Sequence, residues 1–171
     1  LADRALNCSL RNHYPDYKKY SYLKRGSDER QYQAPGVDLP VVCFCRSKYH
    51  EYPEYHTSAD DLSIISPKGF QGSYDVMTKC IEALEYNQYY EVTCLCEPQL
   101  GKRGLIPTVS SKDTSLEQQA QNIKNIVGYA DGKLDLFELS EIIKVPTDKL
   151  IPLLKRLLNA KLLRVVNYEK K

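Results

Sequence analysis

Apolar residues recur along this chain in two rhythms. Between Lys68 and Asn87, the residues Phe70, Tyr74, Met77, Ile81 and Leu84 follow a 4-3-4-3 spacing, which predicts a helix with that stripe turned to a core. Leu1, Ala5, Cys8 and Asn12 keep helical spacing as far as about His13. The second rhythm is that of strands. The runs Val37–Cys45 and Tyr90–Cys96 are rich in β-branched and aromatic residues, and Tyr20 and Tyr22 alternate with polar positions in a stretch ending at Gly26. Between them DERQYQAPG reads as a polar turn or short helix closed by Pro35 and Gly36. Strand, loop, helix and strand in that order predict an α/β layered domain with a partly parallel sheet. The loop from Arg46 to Pro67 has no clear period and holds His50 and His56; long irregular segments of this kind are often functional.

The pattern changes after Pro98, where Gly, Lys, Arg, Pro, Ser and Thr dominate to Asp113. From Ser115 three helical stripes follow. Leu116, Ala120, Ile123 and Val127 form the first, opened by Ser115 and Gln118 as a capping box. Asp135 with Glu138 opens the second, which carries Leu136, Leu139 and Ile143, and Pro146 and Thr147 introduce a third with Leu150, Leu154, Leu157 and Leu158 inward. With KLLRVVNYE as a terminal β-element, these describe a winged helix. The expected organisation is an α/β domain over 1–106, a linker over 107–114 and a winged-helix domain over 115–171.

Composition narrows the class. At 171 residues, with 42% hydrophobic and 27% charged positions, the chain can bury a core, and no apolar run approaches the ~18 residues of a membrane helix. The net charge of +2 implies no electrostatic partner: there are 14 basic against 15 acidic residues before Ser115, and 10 against 7 from it onward. The chain opens on Leu1 and its single methionine is Met77, so Leu1 does not read as a translation start. Nothing at that end resembles a signal peptide. The six cysteines, Cys8, Cys43, Cys45, Cys80, Cys94 and Cys96, include two C-x-C pairs that lack the tight knuckle of C-x-x-C metal sites. Metal ligation and disulfides stay open, while reduced thiols packed as small hydrophobes suit a cytoplasmic protein.

Three motifs invite chemistry and carry little. DGKLDLFE from Asp131 is not a calcium loop, because Lys133 occupies a ligand position, Leu136 replaces the turn glycine and Ile142 the closing glutamate. GKRG at Gly101–Gly104 lacks the spacing of a phosphate-binding loop; Lys102 and Arg103 read as linker charges or as an anchor for an acidic group. Tyr14, Tyr17, Tyr20 and Tyr22 among lysines could stack bases, and fit an alternating edge strand better. In the third helix Asp148 and Pro152 spoil a DNA-facing end that Lys149, Lys155, Arg156 and Asn159 would otherwise supply. The winged helix is therefore read as a packing or protein-interaction module, with DNA binding the second reading.

His56 is the residue with sharper chemistry. A loop histidine followed four positions later by Asp60 can bind a metal through one ring nitrogen while the other donates to the carboxylate; a surface histidine is the plain alternative. The segment GSDERQYQAPGVDLPVVCFCRSKYHEYPEYHTSADDLSII resembles the final part of the co-catalytic zinc aminopeptidase family, through Asp28, Tyr32, Gly36, Pro40, Tyr55, His56, Thr57 and Asp60 or Asp61. CEPQLGKRGLIPT is similar, more narrowly, to bacterial aminopeptidase-like proteins that carry a C-terminal winged helix and are often linked to surface-polysaccharide gene clusters. The resemblance covers about residues 15 to 165. It implies part of an α/β/α layered domain, with His56 as a zinc ligand and Asp60 as the carboxylate behind it. It also implies Asp28, Glu29, Arg30, Tyr32 and Tyr55 along a peptide or amide substrate. Glu29 departs from the wider family, which often has histidine there. A two-metal hydrolase further needs bridging and general-base carboxylates, which the family draws from an H-x-D motif and a Glu-Glu pair. This chain has neither, so no catalytic residue is assigned in it. The expectation is the C-terminal portion of a zinc aminopeptidase-like hydrolase, partnered by an upstream part of the same protein or another subunit, with a homo-oligomer also possible. A catalytically inactive scaffold and a DNA-binding regulator are the alternatives. Neither nucleic acid nor membrane is an expected partner.

Overall fold

Helix α1, Ala2–His13, buries Ala5, Leu6, Cys8, Ser9 and Leu10. It belongs to the first of two units in a computed structural model that describes residues 1–106 and 114–167. That unit runs from Leu1 to Ile81, and the second begins at Glu82.

In the first unit Leu6 and Leu10 pack with Val76 and Cys80, flanked by Tyr17, Val42 and Phe44. Val76 and Cys80 come from helix α3, Pro67–Glu85, whose proline sits at the first helical position, where a missing N–H costs nothing. The expected helix is present, but a different face is buried. Val76, Cys80 and Ala83 are inside, whereas Phe70 is 65% exposed, Tyr74 68%, Met77 46% and Ile81 55%. The helix is apolar on two sides, and among the described residues one of them is uncovered.

The strands expected before Gly26 and over Val37–Cys45 are absent. Tyr22–Lys24 is a 3-10 turn, and no described residue of the first unit lies in a strand. An extended preference becomes a strand only when a neighbour accepts its ladder bonds, and no such neighbour is among the described residues. The tyrosines are held instead by side-chain bonds: Tyr17 Oη donates to Asn7 Oδ1 at 3.1 Å and Tyr20 Oη to Glu51 Oε2 at 2.5 Å. The short helix α2, Glu29–Tyr32, forms in the expected polar turn, and Gln33 Nε2 donates to Val41 O across it.

The second unit contains the sheet. Strand β1, Tyr89–Val92, lies between β2, Asp131–Asp135, and β3, Leu163–Val166, and pairs antiparallel with both. The partly parallel sheet expected from Tyr90–Cys96 is thus corrected: that run supplies the central strand of the winged helix, upstream of the expected linker. Residues 107–113 of that linker lie outside the described residues. Helix α4, Thr114–Tyr129, begins one residue before Ser115, and Gln118 Nε2 donates to Asn122 Oδ1. Helix α5, Leu136–Ile143, opens on the capping box expected from Asp135 and Glu138, with both bonds at 2.9 Å. It ends at Lys144 in the left-handed region, and Pro146 leads into α6, Thr147–Asn159.

Ile123, Ile126, Leu136, Leu139, Leu150, Leu154 and Leu157 are fully buried together, with Tyr90, Leu100 and Leu105 joining them from before α4. Leu116 is 39% exposed and so lies outside this core, while Ile143 and Leu158 are half-buried. Gly132 has φ +83°, and a Cβ there would come within 3.3 Å of Val166 Cγ2 and 3.5 Å of Glu91 Cβ; it serves the bulge where β2 slips against β1. Among the described residues no helix is long and apolar enough to cross a membrane.

Candidate functional site

The irregular segment after Arg46 folds into a cluster of five rings. Tyr55 and His56 stack with centroids 4.0 Å apart and planes 15° apart, and His50 meets Tyr55 edge-on at 4.8 Å. Tyr49 and Tyr52 close the group at 6.1 Å and 5.6 Å from Tyr55. The two imidazole centroids are 6.4 Å apart. Both histidines sit in the left-handed region, His50 at φ 65° and His56 at φ 57°. Thr57 fixes the turn: its hydroxyl donates to Glu54 O at 2.7 Å and accepts from Ala59 N at 3.2 Å. Asp61 caps the following 3-10 turn, Leu62–Ile64, by accepting from Ser63 N at 2.8 Å.

Tyr49 ties this cluster to the turn that carries the other expected site residues. Its hydroxyl accepts from Gly26 N at 2.7 Å, two residues before Asp28. Asp28, Arg30 and Tyr32 are exposed there. Arg30 clasps the turn itself, donating through Nη1 to Tyr22 O at 3.2 Å and Arg25 O at 3.0 Å with its guanidinium 4.7 Å from the Tyr22 ring. Glu29 differs from its neighbours. It is only 3% exposed, and its Oε1 has no hydrogen-bond partner among the described residues. It is a buried carboxylate near Cys43; burial first, then Cys45 and Glu29, push the Cys43 thiol up. Asp60 is exposed, and its charge acts on Tyr52; no hydrogen bond joins it to His56 among the described residues.

A cavity of about 590 Å³ adjoins the cluster, with Tyr49 and Tyr52 on its wall beside Tyr17, Arg25, Arg46 and Lys48. Gly72 makes room for Arg46, whose Nη1 lies 2.8 Å from where a Cβ would stand. Along the rim, the Tyr20 hydroxyl holds the Glu51 carboxyl below its ordinary range, assisted by Lys48 at 3.6 Å and by Lys18. A carboxylate depressed in this way stabilises the fold above the ordinary range near ~4.3 and loses that contribution as pH falls below it. Tyr20→Phe is expected to raise the Glu51 pKa, followed by carboxyl ¹³C shifts; an unmoved titration would assign the depression to the lysines.

The cysteines divide by depth. Cys8 and Cys80 are buried, Cys43 and Cys94 half-buried, Cys45 and Cys96 exposed, and neither C-x-C pair lies in a strand. The inert-thiol expectation fits the first two best. Among the described residues no three His, Cys, Asp or Glu side chains are grouped to hold a metal. Zinc takes three or four protein ligands, so the two imidazoles have the right donor chemistry and fall short in number. His50 is the ring of this cluster that pattern reading left unassigned; its one signal is sharing the aperiodic segment with His56.

In the second unit two of the three α6 cations, Lys155 and Arg156, are engaged internally. Lys155 Nζ lies 3.8 Å from Glu82 Oε1 and 4.4 Å from the Tyr86 ring centre, and Arg156 Nη2 donates to Leu105 O at 2.8 Å. Lys102 and Arg103 are exposed in a 3-10 turn.

Known proteins place these features. Over 127 residues the chain is 35% identical to a Clostridium acetobutylicum protein described as a candidate polysaccharide biosynthesis protein with an aminopeptidase-like domain; the match takes 73% of this chain and 29% of that protein. A crystal structure of a candidate peptidase from the same species superposes on 96% of this chain with TM-score 0.75 and 26% identity, using 36% of its own chain. The chain thus spans about a third of the length of these relatives. Residues 88–165 match the winged helix-turn-helix family, which agrees with β1 belonging to that unit. Residues 1–87 match the family described as Domain of unknown function (DUF4910), and the chain belongs to that family.

Proposed function

We propose that this chain is the C-terminal portion of a zinc-dependent aminopeptidase-like hydrolase acting on a peptide or another amide, and that it contributes one wall of the site. The observation that carries this reading is His56, exposed yet held by its stack on Tyr55 and by the left-handed backbone beneath it. A bound zinc would polarise the scissile carbonyl and activate water. His56 would be one of its ligands, Tyr55 would hold that imidazole in place, and Asp28 and Tyr32 would border the substrate. Asp60, four residues after His56 and exposed, would take up the role of carboxylate partner only by rotating toward the ring. The remaining ligands and the general base would come from the part of the relatives that this chain does not span. The uncovered stripe of Phe70, Tyr74, Met77 and Ile81 supports that division, since a helix apolar on two sides is suited to packing between layers. A cytoplasmic setting accords with reduced cysteines.

The expected result is that the 171-residue chain releases no amino acid from aminoacyl amides. The complete translated protein does so with chelator sensitivity, and His56→Ala lowers its kcat/KM at least about a hundredfold, as for loss of a group acting on the metal. Turnover that survives both chelation and His56→Ala overturns the reading.

A second proposal concerns the winged helix, which we read as a packing or protein-interaction module. Lys155 and Arg156 contact Glu82, Tyr86 and the Leu105 carbonyl, so two of the three α6 cations are turned to the protein and Lys149 is left exposed. Strand β3 pairs with β1, made far upstream, so no hairpin stands out as a wing among the described residues.

A further inference from the structure

We propose that the cavity of about 590 Å³ in the first unit binds a small ring compound carrying a phosphate or carboxylate, with Arg25 and Arg46 taking the oxyanion. A cavity of this size suits a small molecule, and the inference needs no metal. Among the described residues neither arginine is held by an ion pair. Arg25 is half-buried at the wall, and its Nε is closed to solvent with no hydrogen-bond partner among the described residues. Such a donor carries its desolvation cost uncompensated, and an acceptor in the cavity, met by a small turn of the side chain, removes it. Glu29, a carboxylate that acts on Cys43 as Arg25 does, does not line the cavity. Arg46 lies along α3 at two glycines three positions apart. Its Nε is 4.0 Å from where a Gly69 Cβ would stand, and its Nη1 is 2.8 Å from that of Gly72. Glycine inside a helix is less favourable than alanine, and here a pair of them leaves a groove for the guanidinium. Guanidinium forks match the paired oxygens of phosphate and carboxylate.

The other charges of the lining leave the oxyanion to these two side chains. Lys48, its side chain 14% exposed, lies 3.6 Å from Glu51 and within 5.2 Å of the Tyr20 ring centre and 4.9 Å of that of Tyr49. Lys48 and Glu51 therefore balance each other. Asp3, Asp16, Lys18 and Lys19 are exposed and balance as well. The ring of the ligand is assigned to the tyrosine wall. The hydroxyls of Tyr17, Tyr20 and Tyr49 are engaged by Asn7, Glu51 and Gly26 N, which holds those rings in place beside Val42 and Phe44. What they offer a ligand is mainly apolar surface.

The test uses the full chain, freed of metal and titrated by calorimetry with phenyl phosphate, benzoate, inorganic phosphate and phenol. The expected result is one site that takes phenyl phosphate or benzoate at least about tenfold more tightly than inorganic phosphate or phenol. The tighter of the two names the oxyanion, and added salt weakens it. Arg25→Gln and Arg46→Gln are each expected to weaken binding at least about tenfold. Arg46 is exposed, so its variant keeps the fold. Gly72→Ala adds a methyl that displaces Arg46 Nη1 and favours the helix, so it is expected to lower affinity with the thermal midpoint unchanged or raised. Affinity unchanged in both arginine variants, or equal for phenol and phenyl phosphate, overturns the oxyanion site. Absence of binding by all four probes overturns the cavity as a ligand site. Because zinc is absent throughout, each of these failures leaves the His56 reading standing.

Discussion

A chain begun at Ser115 is expected not to fold, whereas one begun at Glu82 is expected to fold cooperatively. The helices alone would suggest otherwise, because α4, α5 and α6 all lie beyond Ser115. The missing piece is β1, which supplies the pairing partner of both β2 and β3. Without it Ala130 O loses Val92 N at 2.8 Å and Leu162 O loses Thr93 N at 3.0 Å, and the two flanking strands have no neighbour between them. Tyr90, Leu100 and Leu105, all at most 6% exposed, leave the core at the same time. Buried side chains of this size contribute about 1.5–3 kcal/mol each, and the sum rivals the ~5–15 kcal/mol that holds a whole domain. Far-UV circular dichroism and amide dispersion of residues 115–167 against 82–167 decide the matter. A cooperative melt from the shorter chain would contradict the account.

Tyr90→Ala is expected to cost about 3–5 kcal/mol, and Tyr90→Phe only about 0.5–1.5 kcal/mol. The ring is 1% exposed at the centre of the sheet, and its hydroxyl donates to Tyr86 O at 2.7 Å. The alanine variant therefore leaves a large hole in a small core, while the phenylalanine variant leaves one carbonyl to find water. Alkaline titration gives an independent signature. Burial pushes the Tyr90 phenol up to about 12. Because the folded pKa exceeds the unfolded value near ~10, the associated stability is complete below ~10 and lost as pH rises toward the folded value. Urea midpoints at neutral and alkaline pH should show that loss in the native chain and less of it in Tyr90→Phe. Equal alkaline loss in both would assign it to other groups.

What the chain discloses by pattern depends on how local the determining contact is. The capping box joins Asp135 and Glu138 three positions apart and is legible directly. The stripe of α3 reveals a helix yet misassigns its buried face, because two faces are apolar and only packing against α1 selects Val76 and Cys80. The expected strands of the first unit show the same limit more severely, since strand pairing is a property of two segments. Tyr90–Val92 was legible as a strand, but its partners lie beyond α4, and nothing near it in sequence announces them. In the candidate site, His56 was visible through its neighbours Tyr55 and Thr57. His50 was not, because the six-residue separation becomes ring proximity only after the loop has turned.

The central place of β1 also bears on how the polypeptide acquires its shape during synthesis. Tyr89 pairs with Asp135 and with Val166, so neither side of the first strand can be satisfied by a nearby hairpin. Tens of residues must be translated before the first ladder bond closes, and more before the second. Until then Tyr90 and its edges are exposed to whatever else is being made. Non-local pairing of this kind slows folding, because the entropy of closing the intervening loop is spent before any contact compensates it.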